Sequence, residues 1–297
     1  MSLLQIALLL TSCVALGQPV GECAISTTPV SGNVSGSQSA APTFTGQALD
    51  VVLSAESVVV WDLASGSILY EKAADERRPI ASVSKLLTAL VVRKHVPLST
   101  EVEIPAAVRA AQRQGVDVSL PIGAHVTTSD LLLAGLVASA NDAMVALAYA
   151  VADDEDAFVT QANSFASARG MTNTRVANAT GLSGGIQHST ANDVRTMLEL
   201  AYRDPVLRDY LSRPGGTLVT QEGAIRRYTT TNRLLKTYVP VIAAKTGYTR
   251  EAKENLALLT EGSNGQRVGA VVLGSDARFQ DSKVLVEWIW RNYSWPS

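Results

Sequence analysis

The sequence predicts a mixed α/β chain of the α+β type: an antiparallel sheet built from both ends of a domain, flanked by helices, with an all-helical region inserted between. Three features carry this. β-rich runs occur early, in "ESVVVWD" and "SILYEK", and return late, in "GAIRRYTTTN", "VPVIAAKTG", "ENLALLTEG" and "RVGAVVLGS". Between them lie apolar stretches with helical spacing and helix start signals. No segment repeats, and the order strands, helices, strands, helix matches one sheet closed by distant segments.

Taken in order, "LASG" joins the first two runs as a hairpin. "RRPIASVSKLLTAL", residues 77–90, turns into an apolar helix through Leu86, Leu87, Leu90 and Val91. Thr127, Thr128, Ser129 and Asp130 are candidate caps for "LLLAGLVAS", and Asn141 or Asp142 for "AMVALAYAVA". "DEDAFVTQANSFASARG" reads as a helix stopped by Gly170 at the C′ position, and "TANDVRTMLELAY" as another. The strands follow, and "DSKVLVEWIWRNY" closes the domain as a helix. Its Trp288, Trp290 and Tyr293, with Trp295 beyond, are expected to pack on the sheet, because only Lys283 and Arg291 would supply charge for a membrane surface.

At 297 residues the chain can bury a large core. A formal charge of −2 gives no electrostatic case for nucleic acid. Three histidines and two cysteines, without HExxH or paired CxxC, argue against a metal site. Neither GxGxxG nor a phosphate loop is present, so no cofactor is expected. Residues 1–17 read as an exported leader with an apolar run too short to span a bilayer. Its Leu10-Thr11-Ser12-Cys13 resembles a lipobox, which would make Cys13 a lipidation site and a membrane anchor; cleavage after Ala15-Leu16-Gly17 is the competing outcome. Both send the chain out of the cytoplasm. Cys23 then lacks a partner, so no structural disulfide is expected. Residues 18–49, small, polar and Pro/Gly-punctuated, read as a flexible linker, and residues 50–297 as the catalytic domain.

Three short motifs carry the chemistry. Ser82 and Lys85 stand one helical turn apart, so an amine can reach a hydroxyl. Serine is a poor nucleophile until a base takes its proton, and lysine serves only if burial or a second cation lowers its pKa. Ser139 and Asn141 fall between two apolar helices, where both can face a cleft. Lys245, Thr246 and Gly247 end a strand; the lysine and threonine can hold a carboxylate, and the glycine permits close approach of a ligand. Each motif alone has a bland alternative as a cap or a turn. Together S-x-x-K, S-x-N and K-T-G are the signature of class A β-lactamases and penicillin-binding proteins, and here they stand in that order, 57 and 106 residues apart.

The chain resembles the low-molecular-mass penicillin-binding proteins that act as serine D-alanyl-D-alanine carboxypeptidases or endopeptidases. The likeness runs from about Glu56 to Tyr293 and includes the Gly-Leu and Ser-Thr-Ala-x-Asp of residues 158–194. It implies a β-lactamase/transpeptidase-like fold, no cofactor, peptidoglycan stem peptides as substrate and β-lactams as covalent inhibitors. By resemblance, Ser82 is the nucleophile and Lys85 its base. Ser139 relays a proton to the leaving amine, and Asn141 positions Lys85 and the substrate amide. Lys245 and Thr246 hold the terminal carboxylate, the N–H groups of Ser82 and Tyr248 form the oxyanion hole, and Arg278 helps bind the carboxylate.

Three departures stand out. Lys253 occupies a position that is usually glycine. The chain stops after its closing helix, like the shorter endopeptidase-type members, and an N-terminal lipid would replace their relatives' C-terminal anchor. The Glu-x-x-Leu-Asn loop with which class A β-lactamases activate water is not found between Asn141 and Lys245. A serine β-lactamase therefore ranks second, distinguished by rapid penicillin turnover. A silent peptidoglycan-binding module ranks third, distinguished by failure to react with penicillin. The preferred assignment requires the three motifs to converge, with two lysines flanking the hydroxyl of Ser82.

Overall fold

The computed structural model describes residues 40–46, 51–182 and 187–296. Cys13, Cys23, the leader and most of the expected linker lie outside the described residues. The end of that linker differs from expectation. Thr43–Phe44 forms a short strand, β1, paired antiparallel with Tyr293–Ser294, and the Phe44 ring meets Tyr293 edge-on at 5.3 Å. An aromatic and a β-branched residue favour a strand here, although both stay exposed.

β2 (Ser57–Asp62) and β3 (Ile68–Lys72) form the expected hairpin, with Gly66 in the left-handed region at φ +74. A 3-10 turn, Ala81–Ser84, leads into α1 (Lys85–His95). The α1 residues Leu86, Leu87 and Val91 are fully buried and Leu90 nearly so, each contributing about 1.5–3 kcal/mol by burial. β4 (Glu101–Glu103), α2 (Val108–Ala111) and β5 (His125–Thr127) follow. α3 (Thr128–Val137) is capped by Thr127, whose hydroxyl accepts from the Asp130 N–H. The N-cap of α4 (Asn141–Val151) is Ala140 and not Asn141 or Asp142; the Asn141 amide is used elsewhere, and Asp142 accepts the Ala143 N–H of the first turn as well as loop N–H groups. α5 (Glu155–Ala168) ends before Gly170 at φ +79, as expected. α6 (Ala191–Arg203) is capped by Thr190, and α7 (Pro205–Ser212) by Asp204 with proline in its first turn.

β6 (Gly215–Val219) and β7 (Ile225–Thr229) make a separate ribbon, so "GAIRRYTTTN" does not join the main sheet as expected. β8 (Val241–Thr249), β9 (Lys253–Glu261) and β10 (Arg267–Ser275) do, and α8 (Arg278–Asn292) and β11 (Tyr293–Ser294) close the domain. The five-stranded sheet has the antiparallel order β3-β2-β10-β9-β8. The three central strands β2, β10 and β9 are buried on both faces, and the two-residue period splits their side chains between two cores. Val59, Trp61, Ala257, Leu259 and Val271 face the helical region, while Val58, Val60, Leu256, Leu258 and Val272 face α8 through Leu285, Val286 and Ile289. The 3-10 turn therefore lies where the end of β8 meets the helical body.

Candidate active site

Gly247 on β8 lets the Ser82 turn approach the sheet. A Cβ at Gly247 would lie 2.6 Å from the Ile80 carbonyl oxygen and 3.0 Å from the Val83 nitrogen. From the other side comes Gly181, at φ +78, where a Cβ would strike the Ala81 carbonyl and sit 2.5 Å from Ser84 Oγ. Ala81 itself has φ +48 and Ser139 φ +63. Left-handed conformations at non-glycine residues cost on the order of 1–3 kcal/mol. Here they flank Ser82 and turn Ser139 out of the break between α3 and α4.

The motifs converge. Lys85 Nζ lies 2.7 Å from Ser82 Oγ, 2.8 Å from Asn141 Oδ1 and 2.5 Å from the Thr180 carbonyl oxygen. Asn141 Nδ2 donates to the Gln114 carbonyl at 2.7 Å, which fixes Oδ1 as the atom facing Lys85. An amide oxygen and a carbonyl can only accept. Both take N–H bonds from Lys85, and the Ser82 hydroxyl is its third neighbour. Lys85 is fully buried; burial first, and the Lys245 ammonium second, hold its pKa well below the ordinary 10.5.

Lys245 does not touch Ser82. Its Nζ donates to Ser139 Oγ at 2.8 Å and to the Thr246 carbonyl at 3.0 Å. Burial, and then Arg278, push its pKa down to about 7. The two lysines thus flank the site unequally: one bonds the Ser82 hydroxyl, and the other reaches the centre through Ser139.

A cavity of about 210 Å³ opens over these groups, lined by Ser82, Ser139, Asn141, Thr246, Gly247, Tyr248 and Arg278. Arg278 Nη1 donates to the Gly247 carbonyl at 2.7 Å, and its buried Nε has no partner. At this end of the cavity, then, the cation in the lining is the half-buried Arg278, whereas Lys245 is fully buried and not part of the lining. Thr231 also lines the cavity, with its hydroxyl 2.5 Å from that of Thr246, as do Gly115, Val116 and Leu182. These four had no site role by sequence, only Leu182 standing in a quoted pattern, the Gly-Leu, and neither had the Thr180 carbonyl just before it. A Thr-Thr-Thr-Asn run just before the KTG strand is the one local hint of Thr231. Lys253 stands at φ +53, where glycine would be unstrained, and its ammonium meets Glu56 at 2.9 Å and Asp276 at 3.2 Å. Among the described residues, no group of three or more His, Cys, Asp or Glu side chains is placed to hold a metal ion.

The D-alanyl-D-alanine carboxypeptidase family, peptidase family S11, matches residues 43–277. The chain belongs to this family. A D-alanyl-D-alanine endopeptidase of Pseudomonas aeruginosa is 33% identical over 257 residues, spanning 84% of this chain and 81% of its own. The D-alanyl-D-alanine carboxypeptidase DacF of Bacillus subtilis is 31% identical over 74% of this chain, which spans only 57% of that longer protein. Among solved structures, the Streptomyces K15 DD-transpeptidase superimposes with a TM-score of 0.76 at 27% identity, covering 82% of this chain and all of the other. A Mycobacterium tuberculosis D-alanyl-D-alanine carboxypeptidase gives 0.76 at 26%, covering 85% of this chain and 96% of the other. This D-alanyl-D-alanine carboxypeptidase family member is a hydrolase of the carboxypeptidase/endopeptidase kind, with the penicillin-binding fold.

Proposed function

We propose that this protein is a serine D,D-peptidase that cleaves peptidoglycan stem peptides after a D-alanine through an acyl-enzyme on Ser82. The observation that carries the assignment is the Lys85 amine, buried among two fixed acceptors with Ser82 as its third neighbour. In acylation, Ser82 Oγ attacks the carbonyl carbon as its proton passes to Lys85 Nζ. The N–H groups of Ser82 and Tyr248 stabilise the oxyanion. Collapse breaks the C–N bond as the leaving amine takes, relayed through Ser139, the proton that Lys85 accepted from Ser82, which leaves Lys85 a neutral base again. Water then adds to the ester carbonyl, releasing the acid and returning the proton to Ser82. Arg278, with the hydroxyls of Thr246 and Thr231, receives the terminal carboxylate, and Lys245 contributes positive potential from below. A β-lactam offers the same carbonyl geometry and acylates the same oxygen.

The substrate polymer lies outside the cytoplasmic membrane, so the protein acts in the periplasm or cell envelope. None of the described helices is long and apolar enough to cross a membrane. We assign attachment to a lipid on Cys13; the mass of the mature N-terminal peptide tests this, and an unmodified Cys13 or a chain starting after Gly17 refutes it. The reaction is tested with defined monomeric and cross-linked muropeptides, weighing the products. Loss of one alanine marks a carboxypeptidase, and separation of cross-linked stems an endopeptidase. Ser82→Ala is expected to abolish both cleavage and labelling by a fluorescent penicillin while leaving the fold intact. Labelling retained in that variant would move the nucleophile elsewhere.

A further inference from the structure

The aromatic end of the chain takes no part in this chemistry. Trp288 is used in packing, its ring 5.8 Å from Tyr70 and 6.0 Å from Phe44. Trp290 and Trp295 also pack on the core beneath α8, as expected, and in addition border open space. Their ring centroids are 4.9 Å apart at 39°, and both line a cavity of about 560 Å³ between the end of α8 and the β9–β10 turn. Trp295 also lines a second cavity of about 720 Å³, and the two share Asn264 and Gln266 as well. The two cavities adjoin at Trp295, whose indole borders both, and together they offer a groove for a linear ligand.

Charge narrows the ligand. Both arginines along the groove are paired with acids, Arg267 with Glu261 at 2.9 Å and Arg291 with Glu287 at 3.7 Å, and Asp62 is a third acid. Asp62 accepts from Trp295 Nε1 at 2.8 Å, which fixes the indole in place. A surface with three carboxylates and two guanidinium groups has no pull on nucleic acid or anionic lipid. Apolar ring faces bordered by planar amides, carboxylates and guanidinium groups instead suit a neutral ring carrying hydroxyl and acetamido groups around an apolar C–H face.

The groove is remote from the reacting bond. β8 runs from Val241, next to the Pro240 that borders the groove, to Gly247 in the catalytic cavity, about 20 Å at 3.3 Å per residue. We propose that this groove is a saccharide-binding site that holds a glycan strand of the cell wall while the remote serine works on stem peptides. The choice of glycan rests on the proposed function; the saccharide specificity of the groove does not.

The probe is cell-wall glycan stripped of its stem peptides, so that the catalytic cavity has nothing to bind. The full chain is expected to co-sediment with it. Trp295→Ala should weaken this at least tenfold, and Asn264→Ala, on the exposed turn, severalfold. Both variants should be acylated by penicillin at rates within twofold of the parent, which also shows that they fold. No sedimentation of the parent, or equal sedimentation of the parent and both variants, would overturn the proposal. So would Trp295-dependent binding to phosphatidylglycerol vesicles in place of glycan. If Ser82 failed to react with penicillin, the proposed peptidase would fall, while glycan binding, measured without turnover and with circular dichroism as the fold check, would still be decided separately.

Discussion

Replacing Lys245 with methionine should make the protein more stable and less active. Methionine keeps the length of the side chain and removes the amine. A lysine whose pKa falls from 10.5 to about 7 on folding opposes folding by roughly 5 kcal/mol, at about 1.4 kcal/mol per pH unit, once pH is low enough to protonate both states. At pH 7 most of that remains. Against it stand the two hydrogen bonds to Ser139 and Thr246, each contributing about 1 kcal/mol. The variant is therefore expected to gain about 2–3 kcal/mol in urea unfolding at pH 7. The pH dependence has a definite sign. Between pH 7 and 10.5 the unfolded chain holds the Lys245 proton and the folded parent does not, so the parent gains stability as pH rises. The advantage of Lys245→Met should shrink by roughly 2 kcal/mol from pH 7 to pH 9. Acylation by penicillin should slow. Loss of the second cation also raises the pKa of Lys85, so the acidic limb of the acylation profile should move to higher pH. A variant that is no more stable than the parent at pH 7, with an unshifted profile, would refute the view that Lys245 is held in the site at the expense of the fold.

Other outcomes follow from the same geometry. Gly181→Ala adds a Cβ against the Ala81 carbonyl at a residue with φ +78; it should destabilise the fold by about 2–4 kcal/mol and slow acylation, as read by denaturation and penicillin labelling. Asp142 is buried and accepts the N–H groups of Val118 at 3.2 Å and Leu120 at 3.0 Å, tying residues 112–120 to the start of α4. Asp142→Ala should cost about 1–3 kcal/mol and raise KM for peptide substrates more than it lowers kcat, with partial recovery in Asp142→Asn. An equal fall in kcat alone would place its effect on the chemistry instead.

Much of the fold was readable wherever a local rule had room to act. α3, α5 and α6 carried their caps or stop in a few residues, and the long strands β2, β8, β9 and β10 were long enough to show composition and period. β4 and β5, three residues each, show neither, and they exist because they pair with one another across the α2 segment. The strand character of Ile225–Thr229 was visible, but its partner was not. The Gly-rich β6 provided no hydrophobic period, and only pairing defined the separate ribbon. The expected cap at Asn141 and Asp142 failed because tertiary partners engaged both side chains: the Gln114 carbonyl and Lys85 for one, the backbone of Val118 and Leu120, along with that of Ala143, for the other.

Residue types and order along the chain already named the hydroxyl, the two lysines, the amide and the KTG strand, because each motif is short and its chemistry belongs to its side chains. Which amine bonds which hydroxyl was not contained there. Lys85 is oriented by a carbonyl 95 residues away, and Lys245 is joined to Ser139 across 106 residues. Backbone carbonyls are the same at every position, and burial belongs to the assembled core, so neither leaves a mark in the residue types. The assembled core decided both, and with them the lowered pKa values of Lys85 and Lys245.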